Sequence, residues 1–286
     1  MALSGASFGG LAIFAKVAYA HGADPISALA VRFAIAGICM VAVMRARGHR
    51  FPRGRLLGAL IGLGGIGYVV ESLAFFTALT MASAALVSLL LYVYPAIVTV
   101  LAATVLKQRL TAVKVAAVVL ALLGTALTIG RAPSGTPLGI VLGVVSALAY
   151  AVYILISSRL APRAGAIPAS TIVMLSAAVV FAVITAVRGP ALPTAATGWF
   201  ALLGMALVST VTAIVAFFAG LERIGPAEAS TVSTMEPVVT VILAAVVLGE
   251  SISAGQVAGG TMILVAVLLL ARAGRPRLVP EEVPPA

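Results

Sequence analysis

The strongest constraint on this chain is a succession of uninterrupted apolar stretches, each about as long as a bilayer core is thick. A helix needs about 20 residues to cross that core. Charges and Gly, Pro and Asp punctuation divide the chain into ten such stretches: residues 2–20, 25–44, 56–79, 83–106, 111–129, 138–158, 168–187, 197–221, 226–248 and 252–271. A membrane barrel would instead show segments of about 10 residues with alternating polarity, which continuous apolar runs exclude. Of 286 residues, 62% are apolar and 9% charged, and the mean hydropathy is +1.21. A soluble domain carries roughly 25% charged residues, so too little polar surface exists here to cover a water-soluble globule. The chain reads as an all-α membrane protein with ten transmembrane helices and short connections.

Charge then sets direction. A net charge of +10 in a soluble protein would suggest nucleic acid, but in a membrane protein Lys and Arg serve first to fix orientation. If both termini share one side, that side holds fourteen of the eighteen Lys and Arg, including Arg45, Arg47, Arg50, Arg53 and Arg55. The other side holds only Arg131 and Arg188, while Lys16 and Arg32 fall inside spans. Basic loops stay cytoplasmic; both termini are therefore expected inside, in a multi-pass protein of the cytoplasmic (inner) membrane. No basic n-region precedes the first apolar stretch, so it is expected to remain part of the fold. The Pro-rich segment 272–286 is expected to be a disordered cytoplasmic tail. Cys39, the single cysteine, has no partner for an intrachain disulfide.

Displacing the chain on itself by 142 residues aligns residues 89–111 with 231–253. Pro95 falls on Pro237, Ser88 on Ser230, and Leu101-Ala102-Ala103 on Leu243-Ala244-Ala245. The halves, residues 1–130 and 137–271, thus read as copies of five spans each. Because five is odd, the second copy enters the membrane in the opposite sense, giving two inverted five-helix repeats. The charges agree, since Lys107-Gln108-Arg109 in one copy has become Gly249-Glu250-Ser251 in the other. Inverted repeats are typical of secondary transporters, which hold substrate near the midplane and expose it alternately to either side. Channels also use them, so this step leans on analogy of fold.

The five-plus-five spans, the Pro95 and Pro237 segments with the turns that follow them, and Ala30-Val31-Arg32-Phe33 in the second span resemble the EamA family of the drug/metabolite transporter superfamily. The resemblance covers almost the whole chain. In length and in its Pro-centred fourth and ninth helices it is most similar to bacterial amino-acid and metabolite exporters of the YddG type. It implies that spans 1–4 and 6–9 enclose a cavity buttressed by spans 5 and 10. The first half departs from the family's L-G-E turn, showing Leu106-Lys107-Gln108.

Polar residues at helical spacing report which face of a span avoids lipid. Span 9 carries Ser230, Ser233, Thr234 and Pro237; span 4 carries Ser88, Tyr92 and Pro95. Each proline removes one backbone hydrogen bond, so these segments read either as gating hinges or as tolerated kinks. Span 6 carries Ser146, Tyr150, Tyr153 and Ser157, and the two tyrosines read as cavity walls rather than interfacial belt residues. Span 3 carries Tyr68, Glu71 and Ser72 on one face. An intramembrane carboxylate is costly and marks a functional site by default. Glu71 pairs either with Arg32 or Lys16 as a structural bridge, or with a substrate or proton. Glu236, beside Pro237, is the candidate to meet a substrate ammonium or a proton; its repeat mate is Tyr94. Hydroxyls of Ser209, Thr210 and Thr212 are expected to bond their own helix.

Other signals lapse. Gly62-Leu63-Gly64-Gly65-Ile66-Gly67 satisfies G-x-G-x-x-G but lies inside a span, with no strand before it. Gly5/Gly9, Gly58/Gly62, Gly139/Gly143 and Gly255/Gly259 read as helix-packing pairs. No metal-ligand spacing and no nucleophile beside a base is found, so neither metal, cofactor nor enzymatic activity is expected. The resulting expectation is a transporter in the lipid bilayer exporting small metabolites, most plausibly aromatic or neutral amino acids, with proton coupling left open. The alternatives are a channel-like facilitator and an exporter of other metabolites or drugs. Few inward Lys or Arg argue against phosphorylated substrates.

Overall fold

A computed structural model describes residues 2–105, 107, 111–129, 135–217 and 235–273. Among these residues nine helices are long and apolar enough to cross a membrane: α1 (Ala2–Ala20), α2 (Pro25–Ala46), α3 (Arg55–Met81), α4 (Ala84–Val105), α5 (Ala112–Ile129), α6 (Pro137–Ala164), α7 (Ala166–Arg188), α8 (Ala196–Phe217) and α10 (Ala254–Ala273). Between the last two, Met235–Leu248 forms the shorter α9. The expected boundaries hold to within a few residues, except that α6 runs six residues past its expected end and that the expected end of span 8 and start of span 9 lie outside the described residues. The charged segment Arg159 to Arg163 remains helical there because a helix can continue beyond the hydrocarbon once water meets its side chains. Almost all of the expected tail lies outside the described residues.

Helix starts follow from local chemistry. The Asp24 carboxylate accepts from the Ser27 amide at 2.7 Å ahead of Pro25, and the Thr136 hydroxyl accepts from the Gly139 amide at 3.1 Å ahead of Pro137. An N-cap oxygen satisfies an amide that has no partner within the helix, and proline loses nothing in the first turn. Two spans are interrupted. α1 breaks at Gly10, and α4 divides at Tyr92-Val93 into Ala84–Leu91 and Tyr94–Val105. Pro95 therefore opens a new helical segment instead of kinking a continuous one.

α3 and α8 each contain one widened turn with i→i+5 geometry, at Leu63–Tyr68 and Leu207–Thr212. Such turns occur frequently at functional sites. The first absorbs the glycine-rich run noted above: a Cβ on Gly64 would fall 2.6 Å from the Val173 backbone of α7, so the spacing reports close helix approach. Packing partners recur under exchange of helix n for n+5. α3 rests on α6 and α8 on α1; α4 on α6 and α9 on α1; α2 pairs with α7, α5 with α10 and α4 with α9.

The small-residue pairs divide. Gly139 and Gly143 admit Met81 and Leu90, Gly9 admits the Glu236 backbone, and Gly255 and Gly259 admit α5. Gly58 and Gly62 face nothing within 4 Å, which corrects the packing role expected for that pair. Gly259→Ala would drive a methyl into the Gly124 carbonyl and Thr128, backbone that cannot yield cheaply. Overpacking of this kind costs about 1–3 kcal/mol. The thermal midpoint in detergent should fall for Gly259→Ala and hold or rise for Gly58→Ala; an unchanged midpoint for the former would contradict the close α5–α10 contact.

The end of the bundle opposite the Arg45–Arg55 loop is stitched by backbone hydrogen bonds between loops. The Asp24 amide donates to Ala191, the Thr194 amide to His21 and the Thr136 amide to Met81, and Ala82 bridges to Gly135.

Candidate functional site

A cavity of about 300 Å³ lies among α1, α3, α6, α7 and α8. It runs from Tyr68 and Tyr150 at mid-span to Leu60, Ala161 and Ala166 near the end carrying the basic loops. Tyr68, Tyr150, Tyr153 and Ser157 line it, as the span 3 and span 6 stripes suggest. Ser146 does not: it is fully buried, and its hydroxyl returns to the Gly143 carbonyl at 2.8 Å.

The aromatic walls continue beyond the cavity. Ring centroids are 5.1 Å apart for Tyr68 and Tyr153, 5.9 Å for Tyr153 and Tyr150, 4.7 Å for Tyr150 and Tyr94, and 6.0 Å for Tyr94 and Tyr92. Aromatic pairs in tilted, edge or offset arrangements at 4.5–7 Å attract beyond their area burial. Five of the six tyrosines thus form one ladder, and its far end meets a carboxylate: the Tyr92 hydroxyl donates to Glu236 Oε2 at 2.8 Å. Tyr94 was recognised in sequence only as the repeat mate of Glu236. Its place in the ladder depends on the break in α4, which lets Tyr92 and Tyr94 approach from successive segments.

Glu71 and Ser72 sit one turn beyond Tyr68, both buried, and the Ser72 hydroxyl donates to Glu71 Oε2 at 3.0 Å. The charges of Glu71, Glu236 and Arg32 all act on the Tyr68 hydroxyl, and that of Glu236 also acts on the Tyr150 hydroxyl. Neither carboxylate lines the cavity itself; Glu71 stands one turn from Tyr68, and Glu236 is reached through Tyr92 at the end of the ladder.

Of the two intramembrane cations, Arg32 stays at this site, with its side chain hydrogen-bonded to Tyr68, and Lys16 does not. Arg32 is 2% exposed, and its Nε donates to Thr210 Oγ1 of α8 at 2.9 Å. Its guanidinium carbon stands 4.7 Å from the Phe33 ring centroid and 5.3 Å from that of Phe76, within cation–π range. Thr210 also donates to the Met205 carbonyl at 2.8 Å. The expectation that it bonds its own helix holds, while its second role, holding Arg32, was missed. Lys16 Nζ donates to the Ala82 carbonyl at 2.7 Å, at the stitched end, so it is not placed as a partner for Glu71. Beside it, Glu250 of the L-G-E turn accepts from the Ala84 and Ala85 amides at 2.7 and 3.1 Å. Glu250 is thus a residue that motif inspection passed over; its signal was an acidic turn opposite a Ser83-capped helix start.

Ser88 is buried, and its carbonyl accepts the Tyr92 amide at 3.2 Å, just before the α4 break. Pro237 is buried in the first turn of the described α9. Ser233 and Thr234 lie outside the described residues.

A bundle of membrane-length helices around a cavity walled by Tyr68, Tyr150 and Tyr153 has the form of a membrane transporter. The profile of the EamA-like transporter family matches residues 1–130 and again 137–272, and the chain belongs to that family. It is 27% identical over 267 residues to the uncharacterized transporter YcbK of Bacillus subtilis (strain 168), a match covering 88% of this chain and 85% of the relative. It is 29% identical over 259 residues to the uncharacterized inner membrane transporter YedA of Escherichia coli (strain K12), covering 86% and 81%. A solved crystal structure superposes with a TM-score of 0.70 at 22% identity, over 95% of this chain and 96% of that one, which speaks to the fold.

Proposed function

We propose that this protein is an inner-membrane secondary transporter that exports small metabolites, aromatic or neutral amino acids foremost, by alternating access. The observation that carries the reading is the cavity: it extends toward the end bearing the Arg45–Arg55 loop, Arg159 and Arg163, away from the end stitched by loop hydrogen bonds. With basic loops cytoplasmic, this reading makes the cavity the inward-facing half of an alternating cycle. The paired packing of helices n and n+5, the widened turns in both α3 and α8, and the double family match support two inverted repeats facing each other. Exchanging the roles of the halves would open the stitched end and close the basic one.

A cavity of this size suits a metabolite with one ring or a short aliphatic side chain. Purified protein in proteoliposomes should show saturable counterflow of labelled phenylalanine. Linear, non-saturable flux would instead favour a channel. The same vesicles under an imposed pH gradient test proton exchange, for which Glu71 and Glu236 are the carboxylates within the described spans.

A further inference from the structure

We propose that the outer groove between α3 and α7 seats one anionic phospholipid, its phosphate among Arg50, Arg53 and Arg55 and one acyl chain laid toward mid-span. The site is separate from the transport cavity and does not depend on the substrate reading.

The groove holds about 340 Å³, with Leu57, Ile61 and Gly65 of α3 on one side, Ile172 and Val179 of α7 on the other and Phe51 at the basic end. Its walls are apolar. The hydroxyl of Ser176, which also lines it, is spent on the Ile172 carbonyl at 2.8 Å. Both helices leave the basic end in the same direction, and Leu57 to Gly65 spans about 12 Å at the helical rise per residue. The groove therefore runs inward from the basic end.

Its back wall is the wall of the cavity. Leu60 and Leu63 of α3 and Ala169 and Val173 of α7 face the cavity from the same helix pair, which closes where Gly64 abuts the Val173 backbone. Ile61 is 49% and Val179 63% exposed on the outer side, where a spanning protein meets lipid. Gly58 and Gly62 meet nothing within 4 Å, so they leave this stretch of α3 smooth.

The basic mouth selects the occupant. Residues 45–55 hold five arginines and no acid, and Arg50, Arg53 and Arg55 are exposed on either side of Phe51 and at the start of α3. The described carboxylates lie elsewhere: Glu71 and Glu236 within spans, Asp24 and Glu250 at the stitched end. Guanidinium groups bind phosphate oxygens in pairs, and basic pockets between helices at the membrane surface hold anionic head groups. A second copy fits less well. Copies paired about a twofold axis normal to the membrane would bring the same arginine-rich loop to the same end, where like charges repel.

Native mass spectrometry of the purified full chain, released from nanodiscs of equal phosphatidylglycerol and phosphatidylcholine, reads the retained lipid. The expected result is one phosphatidylglycerol per chain, favoured by at least about tenfold. Ile61→Trp fills the groove with every arginine in place and should lose that lipid, whereas Ile66→Trp, on exposed α3 surface outside the groove, should keep it. Should Ile61→Trp fold poorly, Val179→Trp fills the same groove from α7. Replacing Arg50, Arg53 and Arg55 together by Gln should abolish the preference for phosphatidylglycerol. Glycerol phosphate, a head group without chains, should not displace the lipid. Equal retention of the two lipids, retention by both groove-filling variants, or displacement by glycerol phosphate would overturn the inference. So would a dimer that Ile61→Trp splits, because the groove would then belong to a second copy.

Discussion

Glu71→Gln should reduce transport by about tenfold to a hundredfold while the protein still inserts and keeps its thermal midpoint. The substitution preserves shape and removes one charge from a group 8% exposed, whose Oε2 accepts from Ser72 and whose field reaches Tyr153. Hydrogen bonds to charged groups contribute about 1.5–3 kcal/mol, which corresponds to that range in rate or affinity. Two properties of the site make function the expected casualty rather than stability. The guanidinium of Arg32 has its own partners in Thr210, Tyr68, Phe33 and Phe76, so neutralising Glu71 does not strand it. The carboxylate also stands one turn from Tyr68, which lines the cavity. Counterflow in proteoliposomes is the measurement, with detergent melting as control. Wild-type flux would remove Glu71 from the mechanism; a collapsed midpoint would make it a structural bridge after all.

The second large effect is expected at Glu250. Its two oxygens accept the Ala84 and Ala85 amides, and Ser83 Oγ accepts that of Leu86, so the first three amides of α4 are all satisfied. A carboxylate there also meets the positive end of the helix dipole, a contact that contributes up to about 2 kcal/mol when partly buried. Because α4 and the L-G-E turn belong to different halves of the chain, this contact is one the halves must break if the stitched end is to open. Glu250→Ala should shift the balance toward opening by about tenfold or more. A cysteine at Ala85, buried in this structure, reports the change in a Cys39→Ala background: maleimide should modify it faster from the far side of the membrane when Glu250 is absent. An unchanged rate would assign closure to the backbone stitches alone. The matching residue in the first half is Gln108, so the basic end has no acidic counterpart at that position.

Much of the candidate site was visible in the linear chain, and the misses share a cause. Tyr68, Tyr150 and Tyr153 were legible because polar aromatic residues at helical spacing stand out against Leu, Val and Ala, and the structure places all three on one cavity. Glu71 and Glu236 were legible because a carboxylate in an apolar span is conspicuous. Their partners were not. Similar depth suggested Arg32 or Lys16 for Glu71; the charge of Arg32 does act on Glu71 while its hydrogen bonds go to Thr210 and Tyr68, and Lys16 turns to the Ala82 carbonyl. Depth along a span follows from counting residues; the direction a long side chain takes depends on helix rotation and on which neighbour offers an acceptor. Likewise Gly64 stood in a glycine run whose nucleotide-fingerprint reading fails inside a span, and the widened turn against Val173 that accounts for it exists only once α7 is in place.

Hydrophobic run length and charge distribution are properties of consecutive residues, and insertion into lipid responds to them directly. For that reason the helical class, the place of the spans and the division into basic and neutral ends could be read before any packing was known. The break in α4, the tyrosine ladder ending on Glu236, the burial of Arg32 and the Glu250 contact with α4 arise from residues 56 to 178 positions apart or from backbone departures without a local marker. They were settled by packing, because in a bundle whose lipid-facing and inward-facing residues are nearly equally apolar, only close fit and polar pairing choose each helix's rotation.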